Sequence, residues 1–158
     1  MTSEEGASSN SPKRAKTEFG DVRKIGRFTV ETQRLVKVLI VEADDTLRVL
    51  DKMTIESLNL PVTVQEAANG SKAVDMYRAT PFDVIFMGLE MPVMNGIEAT
   101  KVLRDIGARS MIIGMVLITL NNDELVQAFQ EAGLDECRRM PMTSNEFRSI
   151  LQKARDKI

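Results

Sequence analysis

The 158-residue chain contains no histidine. That absence excludes every mechanism in which the chain itself supplies an imidazole: a histidine phosphodonor, a His-ligated metalloenzyme or a His-based hydrolase. Cysteine occurs once, at Cys137, so there is no internal disulfide framework and the usage suits a reducing compartment. No apolar run approaches the roughly 20 residues that span a bilayer, and the amino-terminal segment is too polar for a secretory leader. Charge of one sign is also scarce. A net charge of -2 argues against broad binding to nucleic acid or anionic membrane. What is present is ordinary: 43% hydrophobic residues, enough to bury one core.

Residues 1–34 are rich in Ser, Glu, Lys and Gly, with unpatterned apolar residues, and predict a disordered or loosely attached tail before a domain over 35–158. Within the tail, Lys13, Arg14 and Lys16 form a short basic run that suits either nuclear import or simple solvation. From Val36 the pattern changes. "VKVLIV" (36–41), "DVIFM" (83–87) and "MIIGMVLI" (111–118) are the continuous apolar runs of strands buried on both faces; "VTVQEA" (62–67) is a weaker, edge-like version. Helical spacing lies between them. Leu47, Leu50 and Leu58 predict one face of a helix within 45–59, with Asp45 or Thr46 as its cap. Further helices are expected from "NG" (69–70) to about Ala79, over 97–107 with Gly107 closing it, and through Leu125, Ala128, Phe129 and Ala132 with Gly133 as C-cap. The last is announced by the capping-box spacing of Thr143 and Glu146 and the stripe Phe147, Ile150, Leu151, Ala154. "DECRRM" (135–140) makes a poor fifth strand and belongs at a sheet edge. The alternation predicts a parallel sheet with helices on both faces.

In such sheets the working crevice lies at the carboxyl ends of the strands. There the first strand runs into Glu42, Ala43, Asp44 and Asp45, the third into Gly88, Leu89 and Glu90, and the fifth into Met140 before Pro141. Acidic "EADD" repels phosphate where a flavodoxin-like cofactor binder would need a phosphate cradle, which sets that class aside. Cys137 beside Arg138 and Arg139 reads as a packed residue before it reads as a reactive thiol, and most of the ten methionines fall at core-like positions.

The fragments "VLIVEADD", "AANGSKAVDMY", "FDVIFMGLEMPVMNGIEATKVLR", "EAGLDE" and "MPMT" together resemble the receiver (response-regulator) domains of His-Asp phosphorelays, over about residues 35–156. "AANG" and "EAGLD" are most similar to plant receivers of the small stand-alone kind. The resemblance implies a doubly wound (βα)5, flavodoxin-like fold with strand order 2-1-3-4-5. It also implies a phosphoacceptor Asp four residues before the M-P proline, acids after the first strand that help bind Mg2+, a Lys before a proline, a Ser/Thr after the fourth strand and an aromatic on the fifth. Counting back four from Pro92 reaches Gly88. Glu42 keeps the first acid, but the direct metal-ligand position is Ala43, the lysine position is Met140, and the aromatic position is Cys137. The Ser/Thr position counts to Val116, to Leu117 or Ile118, or on a longer strand to Thr119.

The expectation is therefore a pseudo-receiver: not an enzyme, without a cofactor, its Mg2+ binding lost or weak. It would act in a phosphorelay, of the plant cytokinin type by resemblance, by docking a histidine-phosphotransfer protein or another response regulator. Arg138 and Arg139 mark a possible partner face. The alternative is an active receiver that accepts or hydrolyses phosphoryl groups through a displaced acid such as Glu90 or Asp44. No DNA-binding module or membrane partner is expected, and the compartment would be cytoplasmic, nuclear or both.

Overall fold

The computed structural model describes residues 34–117 and 123–158. Lys13, Arg14 and Lys16, the rest of the expected tail to residue 33, and Thr119 lie outside them. The described elements alternate strictly: β1 (Val36–Val41), α1 (Asp45–Ser57), β2 (Val62–Ala67), α2 (Gly70–Ala79), β3 (Val84–Gly88), α3 (Gly96–Asp105), β4 (Met111–Val116), α4 (Asp123–Glu131), β5 (Glu136–Arg139) and α5 (Ser144–Asp156). All strand pairings are parallel, in the expected order β2-β1-β3-β4-β5.

β1 is apolar without alternation because both its faces are covered. Val36, Val38 and Ile40 pack beneath Ile55 and Leu58 of α1 and Phe147, Ile150 and Leu151 of α5. Leu39 and Val41 join the opposite layer, with Ala73 and Val74 of α2, Leu103 of α3 and Phe129 of α4. Phe86 of β3 meets Phe147 edge-on, ring centroids 5.1 Å apart. The chain winds one way from β1 to β2 and the other way through β3, β4 and β5. The reversal leaves a crevice where β1 and β3 run side by side. Val41 and Met87 are register partners there. The next residues, Glu42 and Gly88, are thus brought together by topology alone.

Several local expectations change. Leu50 is 51% exposed, and the inward positions of α1 are Asp51 and Ile55. The apolar spacing misleads because the helix buries an acid and exposes a leucine. Leu125 is likewise exposed, so α4 anchors through Phe129. The N-cap of α1 is Asp44, whose side chain accepts from Leu47 N, rather than Asp45 or Thr46. β4 stops at Val116, short of 118, and Leu117 is already exposed. The capping box of Thr143 and Glu146 and the buried stripe of α5 are as expected, as are Gly107 (φ +91°) and Gly133 (φ +125°) in left-handed turns after α3 and α4.

β5 sits at the sheet edge, paired only with β4. Its arginines are tolerated because Arg138 is neutralised within the chain. It contacts Glu136 at 2.7 Å and Glu146 at 3.2 Å, while Lys153 reaches Glu136 at 2.9 Å. These cations hold the Glu136 carboxyl below the usual range. Arg139 is exposed.

Candidate functional site

The loop after β3 is built as firmly as if it carried chemistry. Asn95 and Glu98 form a capping box at the start of α3. Gly96 N–H donates to Leu89 O at 2.9 Å, and Gly70 N–H donates to Met94 O at 2.9 Å, tying the loop to the start of α2. A Cβ on Gly96 would lie 2.1 Å from Gly88 O, so only glycine lets the helix begin this close to the strand. Val93 stands at φ +70° and is 82% exposed.

Gly88 is a different case. It ends β3, buried, with Met115 as its register partner in β4. Its φ lies outside the left-handed region, so the backbone does not demand glycine. A Cβ here would stand 3.1 Å from Glu42 Oε1 and 3.1 Å from Val41 O. The space a side chain would enter is edged by the carboxylate of the neighbouring strand.

Glu42 is 8% exposed and held from several directions. Its Oε2 accepts from Asp44 N at 2.9 Å, its N–H donates to Ala67 O at 3.1 Å, and its carbonyl accepts from Arg48 Nη1 at 2.6 Å. Burial pushes its carboxyl pKa up, Asp44 adds to that, and the Asp44 and Ala43 N–H groups and Arg48 oppose it. Arg48 is shared with Asp45 and Glu66, so its charge does not belong to the pocket alone. Below Glu42, Asp51 of α1 is 9% exposed and accepts no hydrogen bond among the described residues. Burial, reinforced by Glu42, pushes its carboxyl up to about 6. Neither the family resemblance nor the helical spacing points to Asp51. Its only sequence signal is an acid at a position i−4 to a buried Ile55.

The other positions are placed as follows. Ala43 follows Glu42 and carries no donor. Met140 N–H donates to Val116 O at 2.8 Å, and its half-buried side chain packs on the α1/α5 layer; a cis peptide joins it to Pro141. Val116 is buried at the end of β4. Cys137 is half-buried against the α2/α3/α4 layer, and burial raises its thiol pKa, which disfavours the thiolate. Asp44 has a carboxylate oxygen engaged in capping, and Glu90 is exposed. Among the described residues no three acid, cysteine or histidine side chains converge as a metal group. One carboxylate beside an alanine and a glycine does not fit the octahedral oxygen shell of Mg2+.

With this geometry in hand, comparison with known proteins is informative. The profile of the response regulator receiver domain matches residues 38–152. The chain is similar to the Arabidopsis thaliana two-component response regulator ARR22, 38% identical over 113 residues, covering 70% of this chain and 78% of that protein. It is also similar to the two-component response regulator ORR41 of Oryza sativa subsp. japonica, 34% identical over 125 residues, covering 78% of this chain and 97% of the relative. Among solved structures, the receiver domain of the sensor histidine kinase PA1611 from Pseudomonas aeruginosa superposes with a TM-score of 0.69 at 25% identity, covering 78% of this chain and 99% of that one; that structure has a magnesium ion coordinated in its active site cleft.

Proposed function

This chain belongs to the response regulator receiver domain family, and from that premise we propose that it serves two-component phosphorelay signalling by binding partners, without accepting a phosphoryl group. The observation that carries the reading is the pairing at the crevice: Gly88 brings no carboxylate, and Glu42 Oε1 stands 3.1 Å from where its Cβ would be. Phosphoryl transfer needs an accessible nucleophile and positive charge to stabilise the equatorial oxygens. Glu42 is buried with its pKa raised, and Met140 contributes no cation. Signalling through contact, rather than catalysis, is what such a pocket leaves.

A histidine-phosphotransfer protein or another response regulator is the partner class, in a plant pathway of the cytokinin type, as the plant relatives suggest. One surface suits a protein partner. Val49, Leu50 and Met53 on the outer side of α1 are 46%, 51% and 59% exposed, an apolar stripe on the helix that starts at the crevice. Arg138 is neutralised internally, so on the β5 side Arg139 is the residue left to meet a partner. No helix among the described residues is long and apolar enough to cross a membrane; we place the protein in the cytoplasm, the nucleus or both, with no nucleic acid as direct ligand.

The test is incubation with a phosphorylated histidine-phosphotransfer protein, with and without Mg2+. Complex formation that ignores the metal, with the label staying on the donor, is expected. Acid-labile label on this chain, or loss of label from the donor, would overturn the reading in favour of a displaced acceptor such as Glu90 or Asp44.

A further inference from the structure

Phe129 of α4 is wholly buried, and its ring rests on two glycines from different elements. A Cβ on Gly114 of β4 would lie 2.9 Å from Phe129 Cε2, and one on Gly96 would lie 2.9 Å from Phe129 Cζ. Both separations are shorter than real Cβ contacts, so the ring occupies volume that any other residue at either site would claim. Gly96 in turn is pressed between the ring tip and the Gly88 carbonyl, the 2.1 Å clash of its absent Cβ. Its N–H is bonded to Leu89 O. A continuous line of contact therefore runs from α4, through Phe129 and Gly96, to Gly88 at the crevice.

We propose that this line is a mechanical link: Phe129 couples the position of α4 to that of the loop over residues 88–96. Close-packed interiors transmit displacement because there is no slack to absorb it. The two glycines remove slack from this line in particular. Elsewhere the contacts of α4 with the sheet run through flexible side chains such as Leu134. The link gives a pocket without phosphoryl chemistry a route by which a partner held at the crevice rim biases the outer side of α4, where Leu125 is exposed. The bias runs equally in the other direction.

The test is hydrogen exchange of the full chain, perturbed from each end. Phe129→Leu keeps an apolar side chain and removes the ring tip that reaches Gly96. Asn95→Ala breaks the capping box, whose Asn95 Oδ1 accepts from Glu98 N, without touching Phe129. Each variant is expected to speed exchange by about fivefold or more in both α4 and residues 88–96, while β2 and α1 change far less. Loosening confined to the mutated end would overturn the link, and so would an equal rise in every segment, which is general softening. If Phe129→Leu does not fold, Asn95→Ala alone decides the matter by whether α4 responds.

Discussion

Asp51 has a buried carboxylate with no hydrogen-bonded partner, faced by a second acid at Glu42. Below pH 3.8 it is protonated folded and unfolded alike. Between 3.8 and about 6 only the folded chain holds the proton, and above about 6 the folded chain must ionise a group with little solvent. The stability gained is thus full below the unfolded pKa and is lost as pH rises through about 6; the charge costs on the order of 2–3 kcal/mol at neutral pH. Chemical denaturation should show wild-type stability rising by about 1 kcal/mol from pH 7.5 to pH 5. Toward pH 4 the trend reverses as Glu136 and Glu146, whose pKa values lie below 4.5, begin to protonate. Asp51→Asn should stabilise the protein at pH 7.5 and flatten the rise; an unchanged slope would show that Asp51 is already hydrated. Val93 is a second residue whose conformation, not its contacts, sets its cost. At φ +70° a β-branched side chain is strained by about 1–2 kcal/mol, and at 82% exposed it recovers little by packing. Val93→Gly should raise stability by roughly 0.5–1 kcal/mol after the entropy of glycine is subtracted. A loss on that substitution would mean the valine makes contacts that its exposure hides.

At the scale of elements, β5 shows what charge does at a sheet edge. Arg138 lies between Glu136 and Glu146, and Lys153 joins from α5, so the four form a network that ties the edge strand to its covering helix. Arg138→Ala should lower stability by about 1 kcal/mol, more weakly in high salt, whereas Arg139→Ala should stay within about 0.5 kcal/mol. Equal effects from the two would dissolve the distinction between the network and the free edge. The same elements show what is legible in sequence. β1, β3 and β4 are readable because burial on two faces removes polar residues altogether, and α5 because its apolar stripe and capping box agree. α1 misleads because a helical pattern assumes that acids face water, and Asp51 does not. The vacancy at Gly88 is legible from the motif around it. That Glu42 edges this vacancy is not, since the two residues are 46 positions apart and meet only through the β1–β3 register.

Across the whole molecule, scaffold and chemistry separate cleanly. The features that shape the crevice, the β1–β3 register, the Asn95 cap, the close approach of Gly96 and the two packed layers, involve none of Ala43, Gly88 or Met140 as a required side chain. Chemistry should therefore be restorable without rebuilding the fold, but only as a set. Gly88→Asp alone places a third carboxylate against Glu42 and Asp51, with Arg48 already shared with Asp45 and Glu66 and no lysine at 140. Like charges in one desolvated site raise each other's pKa and disfavour the folded state. The single variant should melt lower than wild type at pH 7.5, recover as pH falls toward 5, and take no label from a phosphorylated phosphotransfer protein. Ala43→Asp, Gly88→Asp and Met140→Lys together supply the missing oxygen donors and a compensating cation. That triple variant should accept acid-labile label only when Mg2+ is present, and Mg2+ should raise its melting temperature while leaving wild type unchanged. Robust labelling of Gly88→Asp by itself would mean the pocket is far less repulsive than its buried acids imply, and the proposal of a silent receiver would fall with it.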